Sequence, residues 1–182
     1  MLLDLCDDLL ATVVGACCLL DLNALARSCE RLRQASVHRR ALIQRLATPP
    51  FGLSYSQIFH SAWINLGVCA LEDHHLRVLS AAIASGALPS VTHLGLYQNS
   101  ISDVGIAALA RAVTPMSEGG GGAMASAVIL DLGRNRIGDE GMRALSSALR
   151  SGALPHLAQL FIDSPSAELA ACCSTKRIQL YS

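Results

Sequence analysis

Two stretches of this chain carry the same phrase: Leu94–Gly105 reads LGLYQNSISDVG, and Leu130–Gly141 reads LDLGRNRIGDEG. Two leucines, an asparagine, an isoleucine, an aspartate and a glycine recur in both, always 36 residues apart. Each copy runs on into a stretch rich in alanine and leucine, which is typical of a helix. This internal repeat decides the fold, because units too small to bury a core alone must stack on one another.

Two weaker copies flank this pair at a shorter spacing. Moving 30 residues back from Leu94 reaches Ile64, and moving 30 forward from Leu130 reaches Leu160. The six additional residues between the clear copies (36 − 30 = 6) coincide with a glycine-rich insertion at 117–123. The sequence therefore predicts about four copies of a unit of 30 residues.

The residue types within one copy predict its local structure. Leu94 and Leu96 alternate with other residues at strand period, so they point to one side of a short strand. Asn99 follows where the chain must turn, and its amide can both donate and accept hydrogen bonds. Asp103, like Asp139 in the next copy, is predicted to cap a helix. The predicted helices are Val104–Val113 and Glu140–Leu149.

The pattern L-x-L-x-x-N-x-I-x-D-x-G resembles the leucine-rich repeat, in the longer strand-plus-helix subtype seen in ribonuclease inhibitor. The resemblance covers residues 61–182. It implies an α/β solenoid, with short parallel strands on a concave face and helices on a convex face. Stacked units of this kind build an extended surface suited to binding another macromolecule.

Strand alternation predicts which side chains that concave face presents. If the leucines point inward, the residues between them point outward, as do their equivalents in the other copies. The candidate protein-binding residues are Trp63, Asn65, His93, Tyr97, Ile129, Asp131, Gln159 and Phe161. Tyr97 is predicted to be exposed, because its equivalents Gly67 and Gly133 are glycines; Trp63 either shares that face or packs on the N-terminal helices.

The N-terminal residues 1–47 predict a small all-helical unit that looks like an F-box. The stretch LCDDLL at 5–10, a hydrophobic run, and then Leu25, Cys29 and Leu32 follow the order of that motif, with Cys6 where proline is usual. The resemblance implies docking onto the Skp-type adaptor of a cullin ubiquitin ligase. The candidate docking residues are Leu5, Leu9, Leu10, Val13, Leu22 and Leu25.

A helical cap for the solenoid is the alternative interpretation of the same segment. Terminal repeats expose apolar edges that a short helical bundle can cover, and the two roles are compatible. Residues 48–60 begin with a Thr-Pro-Pro sequence that cannot extend a helix, so they are predicted to link this unit to the repeats.

Composition favours a protein of the cytoplasm or the nucleus. The formal net charge is zero, so no global field favours nucleic acid or an anionic membrane. The uncharged run Leu9–Leu20 is too short to span a bilayer, and it follows acidic residues rather than the basic ones of a secretion signal. Seven cysteines without CxxC spacing are expected to remain reduced thiols.

Catalysis finds no support in the residue patterns. His74 and His75 are adjacent rather than spaced to converge on a metal, and no serine–histidine motif is recognisable. We expect no catalytic residue, no cofactor and no bound metal.

Two functional hypotheses follow. The first is a substrate-recognition adaptor, in which the F-box-like segment docks the ligase and the repeats bind the target. The second is a free-standing scaffold, inhibitor or regulator of another protein with no link to ubiquitin. At the C-terminal end we expect a helix over Ala167–Cys173, an edge strand near Ile178–Leu180, and either an apolar end that self-associates or a shortened chain.

Overall fold

The computed structural model describes residues 41–42, 44–53, 61–86, 88, 90–115 and 124–182, all of which belong to one unit, Arg39–Ser182. Strands and helices alternate along this part of the chain. The strands are β1 Trp63–Asn65, β2 His93–Gly95, β3 Ile129–Asp131, β4 Gln159–Phe161 and β5 Gln179–Tyr181. The helices are α1 Asp73–Ala84, α2 Asp103–Val113, α3 Asp139–Arg150 and α4 Ala167–Lys176, preceded by helical residues at 41–42 and 44–47.

The five strands form one parallel sheet in chain order, and the repeat sets their register. Leu94 is paired with Ile64 on one side and with Leu130 on the other, and Leu130 is paired with Leu160. These partners are the residues that the offsets of 30, 36 and 30 predict. The α/β fold with parallel strands is therefore confirmed, and it is compatible with a leucine-rich repeat solenoid.

One face of the sheet packs against the helices. Ile64, Leu94, Leu130 and Leu160 are each at most 2% exposed and share a single core with the buried faces of the four labelled helices. Full burial of one such aliphatic side chain contributes roughly 1.5–3 kcal/mol, so the recurring leucines hold the units together. The opposite sheet face is left for other contacts.

The predicted helix caps at Asp103 and Asp139 are wrong by one residue. Ser102 and Gly138 are the N-caps, and the two aspartates are the first helical residues. The Asp103 carboxylate instead reaches the next repeat, where its Oδ1 accepts a hydrogen bond from Gly138 N at 2.6 Å. Asp73 does the same one repeat earlier, accepting from Ser102 N at 2.8 Å.

The ends of the elements follow the sequence more closely. Gly86 and Gly152 adopt positive φ angles of 69° and 92° just after α1 and α3, as expected of helix-terminating glycines. The predicted C-terminal helix and edge strand are present as α4 and β5. The F-box-like residues Leu5, Leu9, Leu10, Val13, Leu22 and Leu25, most of the insertion at 117–123 and linker residues 54–60 lie outside the described residues.

Candidate protein-binding face

Asn99 fixes how one repeat stacks on the one before it. Its Oδ1 accepts hydrogen bonds from Leu71 N at 2.9 Å and Cys69 N at 3.2 Å, both in the preceding repeat. Its Nδ2 donates to Leu66 O of that repeat and to Leu96 O of its own, each at 2.9 Å. One buried amide therefore satisfies backbone groups in two turns.

Asn135 repeats this arrangement one unit further along. It accepts from Ile101 N at 3.2 Å and donates to Leu96 O and Leu132 O at 2.9 Å each. The two asparagines form a ladder along the strand ends, so successive strands are held in a fixed lateral position. The sequence-based assignment of these residues to the turns is confirmed.

A left-handed residue precedes this position in every repeat. Val68, Gln98, Arg134 and Ser164 have φ angles of 59°, 54°, 52° and 46°. This conformation turns the chain out of the strand, and in each case a residue other than glycine adopts it. The sequence gives no direct signal for it, because the four residue types share no property that favours positive φ.

The sheet face opposite the helices, which we call the open sheet face, carries the unrepeated side chains. Its outward positions are Trp63, Asn65, Gly67, His93, Gly95, Tyr97, Ile129, Asp131, Gly133, Gln159, Phe161, Asp163, Gln179 and Tyr181. All eight predicted binding residues lie on this face. None of them is fully buried.

Aromatic pairs occupy the two ends of the open sheet face. At one end the Trp63 ring stacks on the imidazole of His93, with ring centres 5.3 Å apart, and Trp63 is 67% exposed. At the other end Phe161 and Tyr181 stack with ring centres 4.6 Å apart. Exposed aromatic side chains of this kind are typical anchors of protein interfaces.

The expectation that Tyr97 is exposed is wrong: its ring is half-buried. The guanidinium carbon of Arg134 lies 5.3 Å from the ring centre, which covers one side of it. Gly133 also lets the ring lie close to the neighbouring strand, since a Cβ on that glycine would be only 3.4 Å from Tyr97 Cδ2. Trp63 is the more accessible aromatic residue.

Seven of the eight predicted residues line a single depression of about 310 Å³ on this face, and Tyr97 lies outside it. Two polar side chains in the depression are held in place by their own turns. Asn65 Oδ1 accepts from Gly67 N at 2.9 Å, and Asp131 Oδ1 accepts from Gly133 N at 3.0 Å. The depression therefore combines oriented polar groups with aromatic walls.

Sequence reasoning missed two members of the face, Tyr181 and Arg134. Tyr181 escaped because its strand pairs with β4 at an offset of 20 residues instead of 30, so extrapolating the period passes it by. Arg134 escaped because it belongs to a left-handed turn rather than to the alternating strand. The offset of Leu180 from Leu160 was the available signal for Tyr181.

The chemistry of the described residues is that of a binding surface. Within that part of the chain, no group of three or more histidine, cysteine or acidic residues is arranged to hold a metal ion. Burial, and then the neighbouring Cys172, raises the pKa of Cys173 to about 11, so this thiol stays protonated and is a poor nucleophile. Among the described helices, none has the length and apolar character needed to cross a membrane.

Comparison with known proteins agrees with this geometry. The family model described as a leucine-rich repeat matches residues 128–146, which contain strand β3, the Asn135 turn and the first part of α3. No curated protein matches the chain. The second copy of the repeated phrase thus lies within the matched segment, and the match supports a leucine-rich repeat in this chain.

Proposed function

We propose that this chain is a non-catalytic protein-binding module whose open sheet face binds a protein partner. One observation carries the proposal: the side chains that the repeat leaves free to vary converge on one depression with aromatic residues at its rim. A solenoid needs only its leucines, asparagines and aspartates to stack. An exposed tryptophan on the opposite sheet face contributes nothing to that stacking and is suited to contact a partner.

Site-specific photo-crosslinking tests this proposal in the full chain. A benzophenone side chain placed at Trp63 on the open sheet face is compared with the same group at Arg143, an exposed position on helix α3. We expect discrete protein adducts from position 63 and none of the same species from position 143. Equal labelling from both positions, or none from position 63, would contradict binding through this face.

The F-box-like segment supports a more specific form of the proposal, in which the chain is a substrate-recognition adaptor of a cullin-type ubiquitin ligase. The support is the sequence resemblance over residues 1–47. By this hypothesis the chain catalyses nothing and raises the effective concentration of a bound target near the ligase. The competing hypothesis is a free-standing scaffold, inhibitor or regulator whose N-terminal helices cap the repeats.

Binding to a purified Skp-type adaptor separates these two hypotheses. The full chain is compared with a Leu9→Asp, Leu10→Asp variant and with Trp63→Ala as the matched control on the other part of the molecule. The adaptor hypothesis expects the first variant to lose binding and the second to keep it. Absence of binding by the unmodified chain, under conditions where a known F-box protein binds, favours the free-standing module.

A further inference from the structure

We infer that the partner inserts a positively charged side chain, with arginine preferred, beside Asp131 in the depression of the open sheet face. This inference rests on the proposed function and adds the chemistry of the segment that is recognised. It depends on three features of the site: the position of Asp131, the neighbouring aromatic ring, and the local charge.

Asp131 presents a carboxylate that is oriented but incompletely used. The strand register places it between Gly95 on β2 and Phe161 on β4. Its Oδ1 is held by Gly133 N at 3.0 Å, while its Oδ2 has no hydrogen-bond partner among the described residues. One oxygen therefore fixes the group in place, and the other is free to accept from a ligand.

Phe161 forms a wall beside that carboxylate. The Phe161 and Tyr181 rings are nearly parallel, at 12°, so Tyr181 on β5 covers one face of Phe161. The opposite ring face is turned toward β3, where Asp131 is the register partner of Phe161 about 4.8 Å away. Because an aspartate side chain is short and a phenylalanine ring is tall, the two form a step with an acceptor at its base.

Gly95 keeps the other side of Asp131 open. A Cβ at this position would lie 3.2 Å from Asn65 Oδ1, so any larger residue would crowd the depression. The space next to the carboxylate is therefore wide enough for an incoming side chain, and Asn65 adds a fixed amide at its far edge.

The negative charge of Asp131 has no cation beside it. The ion pairs of the described residues join Glu72 to His74 and Arg150 to Glu168, both away from the depression. The nearest basic residue in sequence, Arg134, lies over the Tyr97 ring instead. An incoming cation would thus meet an acceptor that the protein itself leaves uncompensated.

Arginine satisfies all three features at once. A planar guanidinium can donate to a carboxylate while its face stacks on an aromatic ring, and it loses less hydration than an ammonium group does. Lysine could satisfy the carboxylate as a point charge but would stack less well. An acidic segment or a phosphate-bearing surface would be repelled by the same group.

Selection from a displayed library of random dodecapeptides against the full chain tests the inference. We expect the selected peptides to share an arginine whose replacement by citrulline, a neutral isostere, weakens binding at least tenfold in fluorescence anisotropy. Replacement of that arginine by lysine should weaken binding less. Asp131→Asn should weaken binding of the arginine peptide to a similar degree as citrulline does.

The variant is designed to keep the fold. Asn65 shows that an asparagine oxygen accepts the same turn hydrogen bond in the first repeat, so Asp131→Asn removes the charge and retains the local geometry. Asp139→Asn, the same change at an exposed position at the start of helix α3, is the matched control and should leave affinity unchanged. Circular dichroism of both variants verifies that they are folded.

The outcomes separate this inference from the proposed function. Selection of no arginine-containing peptide, or equal binding of the citrulline peptide, overturns the inference. So does an Asp131→Asn variant that binds as tightly as the unmodified chain. Crosslinking from Trp63 reports on the face as a whole, so a positive result there alongside any of these outcomes retains the proposed function and removes only the arginine site.

Discussion

Single residues of the repeated phrase serve the backbone, and the evidence is clearest at Asn99. Its side chain is nearly buried and makes five hydrogen bonds to main-chain atoms, to Cys69 N, Leu71 N, Leu66 O, Leu96 O and Tyr97 O. An amide engaged in this way has nothing left to offer a partner. Recognition therefore falls to the residues that do not repeat, such as Trp63 and Asp131.

Val68 is the least suitable residue at a left-handed position. Its φ is 59°, and a β-branched side chain there is strained, while its 67% exposure shows that little packing holds it. We predict that Val68→Asn raises the free energy of unfolding by about 1 kcal/mol, because asparagine tolerates this conformation. Urea denaturation measures the change.

The equivalent substitution one repeat later is the control for Val68. Gln98 has a φ of 54° but is not β-branched, so Gln98→Asn should stabilise the protein by a smaller amount. A Val68→Asn variant that is no more stable than the unmodified chain would show that strain at this position is negligible.

Ser80 is a buried hydroxyl in helix α1 with no hydrogen-bond partner among the described residues. We predict that Ser80→Ala stabilises the protein by about 1 kcal/mol, because it removes an unpaired polar group and places the best helix former there. Thermal and urea unfolding measure the effect.

Ser146 provides the matched control for this change. It is the equivalent buried serine of helix α3, 66 residues later, but its Oγ donates to Arg143 O at 3.1 Å. Ser146→Ala should therefore be close to neutral. If both substitutions have the same effect, the missing hydrogen bond at Ser80 has no energetic consequence.

The residue-level predictions succeed or fail according to the distance of the partner along the chain. The turn role of Asn99 could be predicted because turn chemistry is local. The destination of the Asp103 carboxylate could not, since it bonds to Gly138, 35 residues away. The half-burial of Tyr97 has the same origin, because Arg134 covers it from the next repeat.

At the scale of elements, the aspartates couple neighbouring helices. Asp73 at the start of α1 accepts hydrogen bonds from Ser102 N, Ser102 Oγ and Gly105 N at the start of α2. Each helix start therefore depends on a carboxylate of the previous repeat. The glycine in the first turn follows from this arrangement, since only a residue without a side chain leaves room for that carboxylate.

Gly141 tests the coupling between α2 and α3. A Cβ there would lie 2.7 Å from Asp103 Oδ1 and 3.0 Å from Ile137 Cγ2. We predict that Gly141→Ala destabilises the protein by about 1–3 kcal/mol, although alanine is the better helix former by about 1 kcal/mol. Urea denaturation of the full chain measures the loss.

A double-mutant cycle with Asp103→Ala assigns the cause. If the carboxylate is the principal obstacle, Gly141→Ala should cost less in the Asp103→Ala background than alone, giving a coupling energy above about 0.5 kcal/mol. Strict additivity of the two substitutions would show that the glycine is required for another reason.

At the scale of the whole molecule, each repeat interacts with its nearest neighbours, through paired strands, the asparagine ladder and the aspartate bridges. The fold could be predicted because a fixed offset determines the strand register, as at Leu94 and Leu130. The binding face could be predicted only as a set of residues. Its division into aromatic ends and a central carboxylate depends on ring orientations, such as those of Phe161 and Tyr181, that alternation does not specify.

The stability of the molecule should respond to acid in two steps, and the first belongs to His75. Its Nδ1 accepts a hydrogen bond from Glu72 N at 3.1 Å, which requires a neutral ring. Burial, and then the nearby His74, lowers the pKa of His75 below its ordinary value of 6.5, outweighing Glu72, while Arg45 acts in the same direction as His74. The unfolded chain therefore takes up this proton first as the pH falls.

The second step belongs to Asp73. Burial alone would raise the pKa of its carboxyl, but hydrogen bonds from the Ser102 hydroxyl and from the Ser102 and Gly105 amides lower the pKa below 3.8. Its contribution to stability is complete above that value and is lost as the pH falls through the lower pKa of the folded state. The loss of the His75 contribution begins at higher pH, below about 6.5.

His75→Gln separates the two steps. Glutamine at this position of the capping box can still accept from Glu72 N but does not titrate, so the decline in the free energy of unfolding between pH 7 and pH 5 should become smaller. His156→Gln, at an exposed histidine outside helix α1, should leave that decline unchanged. Urea denaturation at intervals from pH 8 to pH 4 measures both profiles, and coincident curves for His75→Gln and the unmodified chain would refute a titrating cap at helix α1.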